Sequence, residues 1–280
     1  MNNLQLGSQG AEVKTLQEQL ISAGYAITAD GVFGPATQNA VKQFQQKKQL
    51  TVDGIVGPST QAALNGSNTP TLSGIDISHF TGSINWNTLG SEVSFVYAKA
   101  SQGGQYKDPT FSSNFVNLAK AGIIRGGYHF LTFQNTAQDQ ANNFLSCGVD
   151  YSQHNILPPV LDIEWQVPST LNPYILNNRQ QCIALIADWL QTVETKTGRL
   201  PMIYTNASFW QQYLNNPPGF EKYLVWQAAY SSSRPANIPN LAPYTFWQNG
   251  DNGRLSSIST GVDTNIFYGS LDDLKKLASA

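Results

Sequence analysis

Two different spacings of apolar residues divide the chain. From about Ala11 to Ala23 the apolar positions recur at helical spacing on one face, and Gly24 follows where a helix would end. From Gly74 onward, short apolar runs rich in β-branched residues alternate with helical patterns. Such alternation is typical of βα units built around a parallel sheet. The pattern therefore predicts a small helical segment followed by a larger α/β domain.

The N-terminal segment contains an internal repeat. Asp30–Thr37 recurs as Asp53–Thr60, and each matched pair is offset by 23 positions. In each copy Asp-Gly predicts a tight turn, and the proline falls where the first turn of a helix tolerates it. Helices are therefore expected to start at Pro35 and Pro58, and the two aspartates are expected to be turn residues. Together with the first helix they predict a three-helix domain over residues 1–66.

A polar segment separates this domain from the larger one. Residues 65–73 contain Pro, Gly, Ser, Thr and Asn, which cannot form a packed core. We predict a linker over 67–73 and a second domain over 74–280.

The apolar runs of the second domain predict eight strands. Helices are expected near 111–121, 137–146 and 208–214, with a long one ending at Gly198. Little room is left for helices between the last three strands, which favours an irregular (β/α)5(β)3 TIM-like barrel in the α/β class. In such barrels the catalytic groups lie at the carboxyl ends of the strands. The predicted strands are Gly74–Phe80, Phe95–Ser101, Ile124–Phe130, Leu157–Trp165, Pro201–Asn206, Leu224–Tyr230, Tyr244–Gly250 and Gly261–Gly269.

Two carboxylates follow the most apolar of these runs. Asp162 and Glu164 are separated by one residue, so their side chains share one face of the strand. Two neighbouring buried acids cannot both ionise freely, and one pKa should rise, as a general acid near neutral pH requires. A polar pair that only caps the strand is the alternative. Asp76 and Asp263 lie at the ends of the first and last strands, which barrel closure should bring to the same mouth.

Composition and charge narrow the function classes. A formal charge of −2 and only 12% charged residues argue against a nucleic-acid or anionic-membrane partner. The aromatic, Asn and Gln content suits a carbohydrate, whose faces stack on rings and whose hydroxyls bond to neutral polar groups. The three histidines have no metal-ligand spacing, and two cysteines are too few for a disulfide framework. We expect no metal or other cofactor, and free thiols at Cys147 and Cys182.

The sequence offers no targeting or membrane signal. The first residues lack the basic start and apolar run of a signal peptide, and no apolar stretch is long enough to cross a bilayer. We expect a protein made in the cytoplasm, with a monomer assumed.

The N-terminal segment contains the motifs Leu-Gly-Ser-Gln-Gly-Ala-Glu-Val-Lys-x-Leu-Gln, Asp-Gly-x-Phe-Gly-Pro-x-Thr and Val-Lys-x-Phe-Gln. These motifs resemble the peptidoglycan-binding domains of bacterial wall hydrolases. The resemblance covers Leu4 to Leu64 and implies three helices with a shallow groove for wall peptide or glycan.

The larger domain contains six motifs spread over its strands. They are Gly-Ile-Asp-Ile-Ser-His, Phe-Val-x-Ala-Lys-Ala-Ser, Tyr-Lys-Asp-Pro-x-Phe, Ala-Gly-Ile-x-x-Gly-x-Tyr-His-Phe, Leu-Pro-Pro-Val-Leu-Asp-Ile-Glu and Val-Asp-x-Asn. Together they resemble the family 25 glycoside hydrolases, the Chalaropsis-type lysozymes. The resemblance spans roughly Gly74 to Gly269 and implies a barrel that cleaves the β-1,4 bond between N-acetylmuramic acid and N-acetylglucosamine.

The resemblance also implies roles for the acids. Glu164 looks like the general acid and base, and Asp162 like the residue that orients the substrate's own 2-acetamido group for attack. Asp76 and Asp263 would shape the charge around the sugar. Residues i and i+2 of one strand lie roughly 6.5 to 7 Å apart. In retaining enzymes that use a carboxylate nucleophile, the two carboxyl groups flank the bond about 5 to 5.5 Å apart. Net retention through the acetamido group fits, but inversion or direct attack by Asp76 or Asp263 stays open.

Aromatic residues on the predicted strands are candidate sugar platforms. These are Tyr128, Tyr204, Trp226 and Trp247, each of which could equally be a core residue. His129 is more typical of a structural imidazole than of a base. The sequence departs from the family at Gln102, where many relatives have glutamate.

The leading hypothesis is a muramidase, either a phage endolysin or a bacterial autolysin, which a wall-binding domain holds on bacterial peptidoglycan. Such a protein would reach the cell wall by holin-type release or by secretion. One alternative is a non-catalytic peptidoglycan-recognition protein on a hydrolase-like barrel. A chitinase-like hydrolase is the other, although Val160 stands where that family's longer acidic run would place an aspartate.

Overall fold

The computed structural model describes residues 4–48, 50, 52–64, 71–231 and 234–279. The chain divides into two compact units, Met1–Pro70 and Thr71–Ala280. A search of these described residues finds no helix with the length and apolar character to cross a membrane.

The first unit contains the three helices that the sequence predicts. They are α1 (Ala11–Ser22), α2 (Pro35–Lys47) and α3 (Pro58–Leu64). Val13, Leu16 and Leu20 of α1 are buried against Phe33 and Phe44, which forms a small apolar core.

The repeat is held by a buried glutamine in each copy. Gln17 Nε2 donates to Asp30 Oδ1 at 2.8 Å and to Thr37 Oγ1 at 3.0 Å. Its Oε1 accepts from the backbone N of Gly31. The second copy repeats these contacts with Gln45, Asp53, Thr60 and Gly54. The aspartates therefore fix tight turns, as expected from Asp-Gly.

The second unit is a closed barrel of eight strands with one short extra strand. Seven parallel strands are joined by β9 (Val262–Tyr268), which runs antiparallel to both β8 (Phe246–Gly253) and β1 (Thr71–Ile77). The barrel closes where β1 pairs with β2 (Phe95–Gln102). The two-residue β3 (Tyr106–Lys107) pairs with β2. The predicted barrel is confirmed. The strands are β1 (Thr71–Ile77), β2 (Phe95–Gln102), β3 (Tyr106–Lys107), β4 (Ile124–Phe130), β5 (Val160–Ile163), β6 (Met202–Asn206), β7 (Leu224–Ala228), β8 (Phe246–Gly253) and β9 (Val262–Tyr268).

Helices cover the outside of the barrel, and three of them were not predicted. These three are α4 (Trp86–Leu89), α7 (Asn172–Asn177) and α10 (Leu271–Leu277). The last of them begins with a capping box between Ser270 and Asp273. The helices are α4 (Trp86–Leu89), α5 (Phe111–Lys120), α6 (Ala137–Leu145), α7 (Asn172–Asn177), α8 (Arg179–Thr197), α9 (Ala207–Phe209), which continues as a π-helical turn over Trp210–Leu214, and α10 (Leu271–Leu277).

Two predictions about the strand ends need correction. Residues 71–73 of the predicted linker belong to β1, because β9 pairs with them along its whole length; residues 67–70 lie outside the described part. Asp263 lies near the start of the last strand rather than at its end. Since β9 runs against its neighbours, its start lies beside the carboxyl ends of the parallel strands, and Asp263 still reaches the predicted mouth.

Alternate residues of each strand face the barrel interior, whose lower part is filled by aromatic rings. Phe95, Tyr97, Trp226 and Phe246 contact one another there, with ring centroids 4.9 to 5.9 Å apart. Gly126 leaves room for this cluster, because a Cβ at that position would collide with the Tyr97 ring. The interior is therefore solid below the mouth, and open space begins where the polar residues start.

Candidate active site

All four predicted acids line one cavity at the mouth of the barrel. Asp162 lies in β5 and Glu164 directly follows it, so both point into the interior. Asp76 of β1 and Asp263 of β9 are directly opposite each other across the antiparallel pair. The cavity has a volume of about 680 Å³. It is of the size that holds a small ligand.

Asp76 is the most strongly hydrogen-bonded of these acids. Its Oδ2 accepts from Asn265 Nδ2 at 2.8 Å and from Gln248 Nε2 at 3.0 Å. Burial raises the pKa of Asp76, and these donors oppose that rise by stabilising the carboxylate. Burial and the neighbouring Asp76 raise the pKa of Asp263 to about 8. At neutral pH the Asp263 carboxyl is therefore protonated, and it donates a hydrogen bond to the Asp76 carboxylate.

The Asp162–Glu164 pair has a different environment. Burial raises the pKa of Glu164 to about 7, against the opposing effect of the Lys99 charge. Burial and then Glu164 raise the pKa of Asp162 as well. Asp162 Oδ1 is buried and has no hydrogen-bond partner within the described structure. The pair therefore retains a proton near neutral pH and leaves one acceptor oxygen unused.

Lys99 is the nearest source of positive charge. Among the described residues that line the cavity, no other residue is a lysine or an arginine. Its Nζ donates to Gln102 Oε1 at 2.8 Å and lies 4.9 Å from the centre of the Phe130 ring. Because Gln102 is neutral, the ammonium charge is not cancelled by its hydrogen-bond partner and acts on the acids.

One of the four predicted sugar platforms lines this cavity. Tyr128 faces it from β4. Trp226 instead lies in the buried floor, stacked on Tyr97 with centroids 4.9 Å apart, and its Nε1 donates to Asn265 Oδ1 at 2.8 Å. Its ring face is therefore unavailable to a ligand, which corrects that expectation.

The other two aromatics are also buried. Tyr204 donates its hydroxyl to Gln248 Oε1 at 2.7 Å, so it supports the residue that binds Asp76. Trp247 follows Phe246 and precedes Gln248, which both face inward, and therefore points to the outer side of β8. Its Nε1 donates to the backbone O of Ala229 at 2.7 Å. Both rings serve the fold rather than an open sugar-binding surface.

His129 occupies the outer side of the barrel wall. Its Nδ1 is 2.8 Å from Ser101 Oγ, and its ring stacks on Trp189 of α8. Burial lowers the pKa of His129 to about 3, so the imidazole is neutral. This environment supports the structural interpretation.

Comparisons with known proteins agree with this architecture. The profile of "Glycosyl hydrolases family 25" matches residues 75–258, about two thirds of the chain. The chain belongs to glycosyl hydrolase family 25. Residues 9–64 match the profile of a peptidoglycan binding domain.

Relatives of this family 25 hydrolase include "Lysozyme M1" from Streptomyces globisporus. The two are 39% identical over 217 residues, which cover 76% of this chain and 73% of the relative. The "N,O-diacetylmuramidase" of Chalaropsis sp. is 35% identical over 219 residues, covering 75% of this chain and all of the relative. Among solved structures, the bacterial lysozyme from Streptomyces coelicolor has 37% identity and a TM-score of 0.69, with 74% of this chain and 96% of that one covered.

The family 25 hydrolase also has site residues that sequence reasoning missed. Lys99 and Asn265 are polar residues inside strands, and a charged or amide side chain within an apolar run was the available signal. Phe80 and Tyr106 line the cavity from its rim. Within the described ranges no group of three or more His, Cys, Asp or Glu residues is arranged to hold a metal ion.

Proposed function

We propose that this family 25 hydrolase cleaves the β-1,4 bond between N-acetylmuramic acid and N-acetylglucosamine in bacterial peptidoglycan. The observation that carries the proposal is the Asp162–Glu164 pair, which shares one cavity and retains a proton near neutral pH. The names of the relatives, lysozyme and N,O-diacetylmuramidase, support the substrate class.

Glu164 is the proposed general acid and base. Its carboxyl is partly exposed to the cavity, so it can reach a bound glycosidic oxygen. With a pKa of about 7 it is mostly protonated at pH 6, and it donates that proton to the leaving oxygen as the bond breaks. The resulting carboxylate then accepts a proton from the water that attacks the anomeric carbon. Each cycle therefore returns Glu164 to its protonated form.

Asp162 is the proposed partner of the substrate's 2-acetamido group. Its buried Oδ1 has no hydrogen-bond partner within the described structure, and an amide N–H of the substrate would supply one. That bond would orient the acetamido oxygen to attack the anomeric carbon as the glycosidic bond breaks. Water then opens the cyclic intermediate from the same side as the departed group, which gives net retention.

The strand geometry supports this division of roles. Asp162 and Glu164 extend from the same strand toward the same cavity, so they are poorly placed to flank a bond from opposite sides. Across the mouth, Asp76 and Asp263 share one proton and together contribute about one negative charge. We assign them to binding sugar hydroxyls and to stabilising the positive charge that develops at the anomeric carbon.

The N-terminal domain is the proposed wall anchor. Its match to a peptidoglycan binding domain supports binding to the same polymer that the barrel cleaves. Binding by one unit raises the effective concentration of substrate for the other without changing the chemistry. We propose that the protein acts at the bacterial cell wall.

Proton NMR of the newly formed reducing end tests the mechanism. The β-anomer should appear first and then mutarotate, whereas initial α-anomer would establish inversion. Asp162→Asn should lower the rate by about a hundredfold or more while the anomeric outcome stays the same. Glu221→Gln, which alters an exposed glutamate outside the cavity, is the matched control and should behave as the unmodified enzyme.

A further inference from the structure

An exposed aromatic side chain lies on the rim of the cavity. Phe80 follows β1 and is 81% exposed, the highest value among the large hydrophobic side chains of the described residues. It lines the same cavity as Asp162 and Glu164. An isolated exposed apolar residue needs no explanation on an open surface, but one at the rim of a ligand cavity indicates a contact with the ligand.

The Phe80 ring contacts the imidazole ring of its neighbour. It packs on the His79 ring, with centroids 3.9 Å apart and planes inclined by 39°. Tyr106 of β3 meets the His79 ring edge-on at 6.0 Å, and its hydroxyl lies 3.2 Å from His79 Nδ1. These three rings, which we call the rim platform, all line the cavity.

A buried carboxylate anchors the rim platform. Asp108 Oδ2 lies 2.7 Å from His79 Nδ1 and accepts from the His79 backbone N at 3.1 Å. Its other oxygen accepts from the backbone N and the hydroxyl of Thr110 at 3.0 and 2.6 Å. The turn that carries Phe80 is closed by a bond from Thr81 N to Ser78 O. The exposed ring is therefore presented in a fixed position, which lowers the entropic cost of binding.

We propose that the rim platform is a subsite at which Phe80 stacks on a pyranose ring of the same glycan strand whose cleavage occurs at the acids. The inference rests on the proposed function, because the cavity that joins Phe80 to Glu164 must hold a glycan. A pyranose presents C–H groups on its face, which suit an aromatic ring. Its hydroxyls point outward in the ring plane, where Tyr106 and water can bond to them.

The test measures glycan binding in the Glu164→Gln background, so that turnover does not interfere. Peptide-free glycan fragments of increasing length, prepared from purified peptidoglycan, are titrated by calorimetry. Phe80→Ala should weaken binding about threefold to tenfold, the contribution of one ring contact. The loss should appear only from the fragment length that first reaches the rim. Phe80→Trp should retain the affinity of the Glu164→Gln protein.

The matched control is Leu271→Ala, which removes an exposed apolar side chain from α10. This helix follows the carboxyl end of β9 and therefore lies at the opposite end of the barrel from the cavity. The glycan affinity of the Leu271→Ala variant should therefore equal that of the Glu164→Gln protein. In the active enzyme, Phe80→Ala should raise KM for the same fragments and leave kcat within about twofold, because a rim contact acts on binding rather than on the reacting bond.

Three outcomes would overturn the proposal. Unchanged affinity in Phe80→Ala would remove the contact, and an equal loss in Phe80→Trp would show that no stacking is involved. Fragments that retain their stem peptides are titrated in parallel, and a loss restricted to those would assign the rim platform to peptide instead of sugar. A Glu164→Gln protein that still turns over would refute the proposed function, while the binding series would continue to test the rim platform.

Discussion

Replacing Glu164 by glutamine should stabilise the barrel in alkaline solution. The amide has nearly the shape of the protonated carboxyl but cannot ionise. In the folded protein burial raises the pKa of Glu164 from its ordinary value near 4.5 to about 7. The folded state therefore binds this proton more tightly than the unfolded state does. The stability that results is present below pH 4.5 and is lost as the pH rises through 7.

The size of the effect follows from the two pKa values. The difference between 4.5 and about 7 corresponds to about 3 kcal/mol in the free energy of unfolding. Relative to the unmodified protein, Glu164→Gln should gain under about 1 kcal/mol at pH 5 and about 3 kcal/mol at pH 8.5. This increase in the free energy of unfolding comes from removing a buried charge and does not depend on any new contact.

Urea unfolding followed by tryptophan fluorescence measures this effect on the barrel alone. All six tryptophans lie in residues 86–247, so the signal contains no contribution from the N-terminal unit. Glu221→Gln, which alters an exposed glutamate outside the cavity, is the matched control variant. An equal difference for Glu164→Gln at pH 5 and pH 8.5 would contradict the raised pKa on which the proposed acid depends.

Three further changes test other parts of the structure. Asn265→Ala should lower the free energy of unfolding, measured in urea, by about 2 to 4 kcal/mol. The substitution leaves the buried indole N–H of Trp226 unpaired and removes a hydrogen-bond donor from the Asp76 carboxylate. The control Asn142→Ala, at an exposed position, should cost under about 0.5 kcal/mol. Lys99→Met should move the alkaline limb of kcat/KM to higher pH, since the lysine charge lowers the pKa of the general acid; Lys120→Met should leave the profile in place. Deleting residues 1–66 should weaken binding to insoluble walls about tenfold or more while hydrolysis of short soluble fragments changes by less than about twofold; equal losses would argue against a separate anchor.

Strand order and the acids were accessible from sequence because both depend on local pattern. Apolar runs and turn residues predicted the eight barrel strands, and the acids follow directly where those runs end. Asp263 shows the limit of this reasoning. Its place near the mouth was expected, but the antiparallel direction of β9 was not, since a strand has the same residue pattern in either direction.

The direction of the aromatic side chains could not be predicted for a related reason. Strands of a barrel are covered on both sides, so inward and outward positions are both apolar and the alternation disappears. All but the first residue of β7, Leu224–Ala228, are buried, and nothing in the run shows that Trp226 lies in the floor. Phe80 was missed because it lies in a turn after β1, and only the folded cavity shows that the turn borders the acids.

The most direct test of the account is digestion of purified peptidoglycan by the full chain and by Glu164→Gln. Mass spectrometry of the borohydride-reduced fragments identifies which sugar forms the new reducing end. We predict fragments that end in reduced muramic acid with the unmodified protein, and a loss of several orders of magnitude in their rate of formation with the folded, wall-binding variant. Intact glycan strands despite tight wall binding, or normal turnover by Glu164→Gln, would contradict the account.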